Sequence, residues 1–307
     1  MQHADTTRPE LSVIVPSYNA ARTIETCLDA LAAQRTDARF EVIVVDSGGD
    51  RTRDIVRERF PGVRLVTSSE RKYPGAARNL GIAAAGADIV AFTDADCVAA
   101  PDWIEAIHGA HRGNADPVIG GVIANLNPES FVGRAYYYTE FNHWMPGTPA
   151  GFVDDIPGCC WSMKRTAYER YGPFLEDTYC SDTAFHWRMA EEGLRPYLDP
   201  RIRVAHGSPT GLAACLRHQP VHGRFFARVR VVEQRLSRRR VLLHAATAPL
   251  LPPLFLLRAS RRVLRSGTQL RQFMPAAPLV LLAMAGWAWG EMSGYLGALR
   301  RPQRAAS

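Results

Sequence analysis

Six cysteines, Cys27, Cys97, Cys159, Cys160, Cys180 and Cys215, include no CxxC pair and have no regular spacing. That excludes a zinc ribbon and points to reducing, cytosolic surroundings for most of the chain. The opening MQHADTTRPE holds no apolar signal stretch. No GxxxxGK[ST] loop is present for nucleoside triphosphate hydrolysis, and no GxGxxG follows the first apolar run for a dinucleotide. Between Ile89 and Ala110 there is neither lysine nor arginine. What is present is ample apolar material: 47% of 307 residues are hydrophobic, enough for one large or two ordinary domains with a true core.

The cation-free stretch contains AFTDADCVAAPDW, Ala91 to Trp103, in which Asp94 and Asp96 stand one residue apart. Two such carboxylates repel each other and are costly to desolvate, so they call either for a bound metal ion or for a solvated turn. Upstream, LSVIVPSYN reads as a short strand, Ala20 to Ala33 as a helix, and EVIVVDSGG as strand and turn before a helix reaching about Phe60. VRLVTS, a helix across GAARNLGIAAAG and the strand ADIVAFTDAD complete four strand units. Strands alternating with helices predict an α/β fold, a mostly parallel sheet covered on both faces. Ligands of such sheets sit at the carboxyl ends of the strands. Those ends are Pro16 to Asn19, Asp46 to Gly49 and Asp94 to Asp96, which together would make one acidic cleft suited to a metal and a diphosphate.

In VIVPSYN, VVDSGGDRT, GAARNLGI, TDADC, YGPFLED, SDTAFHWRMAEEG and VAH, spread over Leu11 to Gly207, the chain resembles the inverting family 2 glycosyltransferases of GT-A fold. That resemblance implies a nucleotide-sugar donor, with a uridine nucleotide expected, and Mn²⁺ or Mg²⁺ as cofactor. It carries Pro16, Tyr18 and Asp46 to nucleoside contacts, Asp94 and Asp96 to the metal and ribose, and His206 to a third metal ligand. Lys72 and Arg78 would neutralise the diphosphate. Gly158 and Trp161 would line the sugar or acceptor pocket, Trp161 by stacking on a ring. Asp182 would be the general base of a single inverting displacement. Ser47 and Ser181 stand where the family usually has acidic residues, so a catalytically inactive sugar-nucleotide-binding protein is one alternative. A nucleotidyltransferase, which also uses acidic metal ligands in an open sheet, is another.

Charge divides the chain. Twelve arginines and one glutamate lie between Arg224 and Gln272, whereas residues 1–223 carry a net charge of −6. Two apolar runs, Val241 to Leu257 and Pro275 to Trp289, lie in or beyond this basic region. As helices they would extend roughly 25 Å and 22 Å, against a bilayer core of about 30 Å. Pro249, Pro252 and Pro253 interrupt the first, and lengthening the second would take Glu291 into hydrocarbon at a cost on the order of 3 kcal/mol. Two full spans would also place Arg258, Arg261, Arg262 and Arg265 outside, against the positive-inside tendency. The expectation is therefore a catalytic domain over 1–210 and a membrane-associated helical region over 211–307. The helices would lie on or dip into the cytoplasmic leaflet, with Trp287, Trp289 and Tyr295 at the interface and arginines on anionic headgroups. A lipid-linked or saccharide acceptor fits that location, and no nucleic-acid-binding pattern accompanies the arginines.

Overall fold

The structure, a computed structural model, describes residues 8–267 and 269–300. Two compact units divide the chain: the first comprises residues 1–126, 148–177 and 181–206, the second 127–147, 178–180 and 207–307. Compared with a single boundary near residue 210, two earlier segments belong with the carboxyl-terminal unit.

In the first unit, β1 (Leu11–Ser17), α1 (Ile24–Ala32), β2 (Phe40–Asp46), α2 (Thr52–Arg59), β3 (Arg64–Thr67), α3 (Pro74–Ala84) and β4 (Ile89–Phe92) alternate as the sequence predicts. The expected helix from Ala20 begins only at Ile24, and the fourth strand stops at Phe92. Asp94 and Asp96 therefore occupy the turn between β4 and β5 (Cys97–Ala99), where the Cys97 amide donates to the Asp94 carbonyl at 3.0 Å.

Four strands are parallel, in the order β3-β2-β1-β4. After α4 (Trp103–Gly113) the sheet becomes mixed. It continues through β6 (Val118–Asn125), then, past α5 (Phe131–Glu140) of the other unit, through β7 (Gly151–Phe152) and β8 (Trp161–Lys164). Next come α6 (Arg165–Tyr171), α7 (Ser181–Glu191) and β9 (Tyr197–His206). β8 is inserted antiparallel beside β4, and the path runs on through β6 and β9 to β5. The parallel expectation thus holds for the first half of the sheet only, because the second half is reached from strands too far along the chain for local periodicity to orient. The core beneath it gathers Ile14, Ile43, Val90, Phe92, Met163 and Phe185.

Two registers decide what the strand ends present. β1 and β2 pair Ser17 with Asp46. β5 and β9 pair Cys97 with His206, which brings a residue from the end of the unit beside Asp96.

The second unit is helical: α5, α8 (Leu212–Glu233), α9 (Arg238–Thr247), α10 (Leu251–Ser266) and α11 (Leu270–Arg300). Its helices correct the length expected from sequence. Pro249 sits in a 3₁₀ turn and Pro252 in the first turn of α10, where a missing amide costs little, so Arg238–Ser266 stays helical over 29 residues. α11 runs unbroken for 31 residues, roughly 46 Å, past Pro275 and Pro278. Both stretches are long and apolar enough to cross a membrane.

Candidate functional site

Asp46 ends β2 fully buried and accepts three hydrogen bonds, from the Ser17 hydroxyl at 2.9 Å, the Gly48 amide at 3.2 Å and Arg53 Nε at 2.8 Å. The sequence placed this carboxylate against a base or ribose. In the structure Asp46 is closed off from solvent and ties the ends of β1 and β2 together. Arg53, which sequence reasoning missed, neutralises it from α2; it stands just past the VVDSGGDRT motif, seven residues beyond Asp46. Nearby, Pro16 lies in β1 and Tyr18 is 45% exposed, its ring lying 4.5 Å beneath the Arg71 guanidinium. Ser47 accepts the backbone amide of Lys72 at 3.0 Å, while Lys72 Nζ pairs with Glu70 at 3.1 Å. Lys72 thus places its charge in a surface ion pair.

Asp94 and Asp96 part company. Asp94 meets Arg78 Nη2 at 3.2 Å, and Arg78 is nearly fully buried. The cation absent between Ile89 and Ala110 arrives from α3. Arg78 is therefore a buried counter-charge for Asp94, not a solvated helix-end charge. Burial nonetheless raises the Asp94 pKa against the pull of Arg78, with Asp96 adding repulsion.

Asp96 stays more open, with a 40% exposed side chain whose Oδ1 lies 3.6 Å from His206 Nε2. Asp96, Cys97 and His206 form a group whose ligand atoms all lie within 4.8 Å of one another. Burial raises the Cys97 pKa well above the usual thiol value, so Cys97 would join a metal only by losing its proton on binding, a cost the other two donors do not carry. What remains is one carboxylate oxygen and one imidazole nitrogen. This donor pair fits a divalent cation, and its nitrogen suits Mn²⁺ better than the oxygen-seeking Mg²⁺.

Asp182, in the first turn of α7, accepts from the Gly158 amide at 2.7 Å and from the Thr183 amide at 2.9 Å. Its pKa is raised, by burial first and then by the neighbouring charge of Asp155. Asp155 is the second residue missed from sequence. It accepts from the Thr183 hydroxyl at 2.8 Å and contacts His186 Nδ1 at 2.7 Å, but lies in the undistinguished loop VDDIPG. Gly158 stands at the junction, because a Cβ there would come within 2.0 Å of the Arg78 guanidinium. Asp94, Arg78, Gly158 and Asp182 are thus one contiguous cluster.

Trp161 requires a correction. It is fully buried on β8 and packs against Phe92, Phe174, Phe185 and His186 with ring centroids 4.9–5.8 Å apart, so it is a core residue with no face for a sugar. Its neighbours Cys159 and Cys160 are buried too, and burial pushes the Cys160 thiol up to about 12. A separate cavity of about 440 Å³, lined by Ala110, Asn114, Tyr197 and Arg201 among others, includes none of the predicted site residues.

Comparison with known proteins places the family and the fold. The pattern of Glycosyl transferase family 2 matches residues 12–172. Among curated proteins, glycosyltransferase AglE of Haloferax volcanii is 35% identical over 144 residues, which cover 45% of this chain and 47% of that protein. The chain spans about half or less of the length of the curated relatives it matches first. Among solved structures, the mannosyltransferase PcManGT from Pyrobaculum calidifontis, in complex with GDP-Man and Mn²⁺, superposes with a TM-score of 0.62 at 24% identity. That match covers 95% of this chain and 88% of PcManGT. Residues 1–349 of S. aureus TarS, in complex with UDP-GlcNAc, give 0.53 at 16% identity, covering 95% and 92%. At these identities the two structures speak to the fold, which is GT-A.

Proposed function

Because the chain belongs to glycosyl transferase family 2, we propose that it moves a sugar from a nucleoside diphosphate donor to an acceptor hydroxyl with inversion at the anomeric carbon. The observation that carries this reading is the cluster in which Asp182, held by the Gly158 amide, shares Arg78 with Asp94 beside Asp96 and His206. Family membership sets aside a nucleotidyltransferase, and the retention of Asp94, Asp96 and Asp182 argues for activity despite Ser47 and Ser181.

Each carboxylate has a separate task. Asp182 takes the proton of the acceptor hydroxyl as that oxygen attacks from the face opposite the leaving diphosphate. Its two backbone hydrogen bonds fix its direction, and its raised pKa brings its basicity nearer to working pH. Arg78 supplies a fixed positive charge that a closed site need not reorganise. Asp96 and His206 would hold a divalent cation, whose chemistry is to stabilise charge on the departing diphosphate. Tyr18 and Arg71 offer the exposed ring and cation at the nucleoside end.

The donor base is left to experiment between uridine, expected from the sequence, and guanosine, since PcManGT holds GDP-Man and TarS UDP-GlcNAc. A lipid-linked or envelope-saccharide acceptor at the cytoplasmic face suits the exposed apolar helices of the second unit. Only 22% of the apolar window in Arg238–Ser266 and 44% of that in Leu270–Arg300 is buried, where the core helix of a soluble protein would be mostly buried. The test is release of nucleoside diphosphate from a panel of UDP- and GDP-sugars with lipid extract and Mn²⁺. Asp96→Asn should remove Mn²⁺-dependent donor affinity in calorimetric titration. Unchanged affinity would strike Asp96 from the metal site.

A further inference from the structure

Inside the second unit, three ionisable side chains converge that have no part in the reaction above. Glu140 closes α5, and His218 and His222 stand four residues apart on one face of α8. His222 Nδ1 lies 3.6 Å from Glu140 Oε2, and His218 Nε2 lies 3.9 Å from Glu140 Oε1. All three ligand atoms fall within 4.8 Å of one another. We propose that Glu140, His218 and His222 form a zinc site that clamps α5 to α8.

The spacing suits the metal. Tetrahedral zinc with bonds of about 2.0–2.2 Å holds adjacent ligand atoms roughly 3.3–3.5 Å apart, so donors that all lie within 4.8 Å of one another need to close by at most about 1.5 Å. Histidines at i and i+4 on a helix already point the same way, as in helical zinc motifs. A nitrogen, nitrogen and carboxylate set is one that zinc accepts and that calcium or magnesium does not favour.

The surroundings orient the ligands. Gln219 Nε2 donates to Glu140 Oε1 at 2.6 Å, fixing the carboxylate from behind. The imidazoles are walled by aromatic rings, with Tyr136 5.5 Å from His218, and Tyr179 and Trp287 at 6.1 Å and 4.7 Å from His222. Such walls restrict ring rotation. Because Glu140 and His222 are far apart in the sequence, the clip closes a long loop and would stabilise the helical unit.

Zinc chloride alone is the probe, on the full chain carrying Asp96→Asn and His206→Gln so that the other metal-ligating group is silent. This parent, stripped with a chelator, should bind one zinc per chain and melt at a higher temperature with the metal. His218→Gln and His222→Gln in that background should weaken zinc binding by about 10- to 100-fold or more. Cobalt(II) added to the parent reads the site with its ligands intact, through the visible absorption of a four-coordinate ion, even if a histidine variant fails to fold. No zinc bound by the parent, equal zinc affinity with and without either histidine, or a six-coordinate cobalt spectrum overturns the proposal.

Discussion

At Asp182 the hydrogen bonds that a helix start provides and those that a base requires are the same bonds. The Thr183 amide satisfies one carboxylate oxygen and the Gly158 amide the other, so an amide in place of the acid can keep one acceptor but not both. Asp182→Asn should therefore leave donor affinity near normal and lower turnover by roughly 10² to 10⁴ fold. Stability adds a second reading. A carboxyl whose folded pKa is raised favours the protonated folded state, and that advantage is lost as pH rises through the folded value. Removing the charge lifts a penalty at neutral pH and offsets the hydrogen bond lost with the second acceptor, so the melting temperature of Asp182→Asn should stay near the parent's there. The pH profile separates Asp182 from Asp155. Because burial and Asp155 both raise the Asp182 pKa, the acid limb of kcat/KM should lie above the ordinary aspartate value of 3.8. Asp155→Asn removes one cause, so the limb should move to lower pH while turnover on the plateau survives. An acid limb unmoved by Asp155→Asn would remove Asp155 from the tuning of the base.

α11 shows what an element can demand of single residues. Gly286, Gly290 and Gly294 recur every four residues on one helical ridge, and that ridge lies against Pro220, Gly223 and Ala227 of α8. A Cβ at Gly290 would stand 2.1 Å from the Pro220 carbonyl oxygen, whereas one at Gly297 meets nothing within 4 Å. Small residues let two backbones approach where apolar driving force is weak, as it is in lipid. Gly290→Ala should separate α8 and α11 and cost about 1–3 kcal/mol, read as a lower melting temperature. Gly297→Ala, in the same helix, should be neutral or stabilising by up to about 1 kcal/mol. Equal effects at both positions would discard the close-approach argument. The same packing resolves Glu291: its carboxylate is buried in the unit and accepts from Tyr295 Oη at 3.0 Å and Trp287 Nε1 at 3.2 Å, instead of meeting hydrocarbon alone. Tyr295 is fully buried and Trp287 half-buried, so of the three aromatic residues expected at a lipid interface only Trp289 is exposed.

For the whole molecule, charge and apolar surface coincide. Leu243, Leu250, Leu264, Met274, Leu282 and Trp289 are more than half exposed in the region that also carries most of the arginine excess. The full chain should float with vesicles containing anionic lipid at low salt and bind neutral vesicles less well. High salt should release only part of it, since screening weakens the arginine contribution but not apolar insertion. Failure to bind anionic vesicles at low salt would reject the membrane reading. The full chain is the proper subject, because cutting after Gly207 would strip α8 and α11 from α5, which belongs to the same unit.

The sequence alone determined the alternating first half of the sheet, since apolar runs of strand length and helical spacing are local signals that each segment carries by itself. It also marked Asp46, Asp94, Asp96, Asp182 and His206, because motif order survives without coordinates. The partnerships were decided only by the tertiary structure. Antiparallel β5–β9 pairing sets His206 beside Asp96, α3 delivers Arg78 to Asp94, and the Gly158 loop delivers an amide to Asp182. Those are contacts between residues 16 to 110 positions apart, and no periodicity records them. Burial likewise turned Trp161 from a sugar platform into core and closed Asp46 off from solvent, because exposure is a property of what packs on top of a residue and not of its neighbours in the chain.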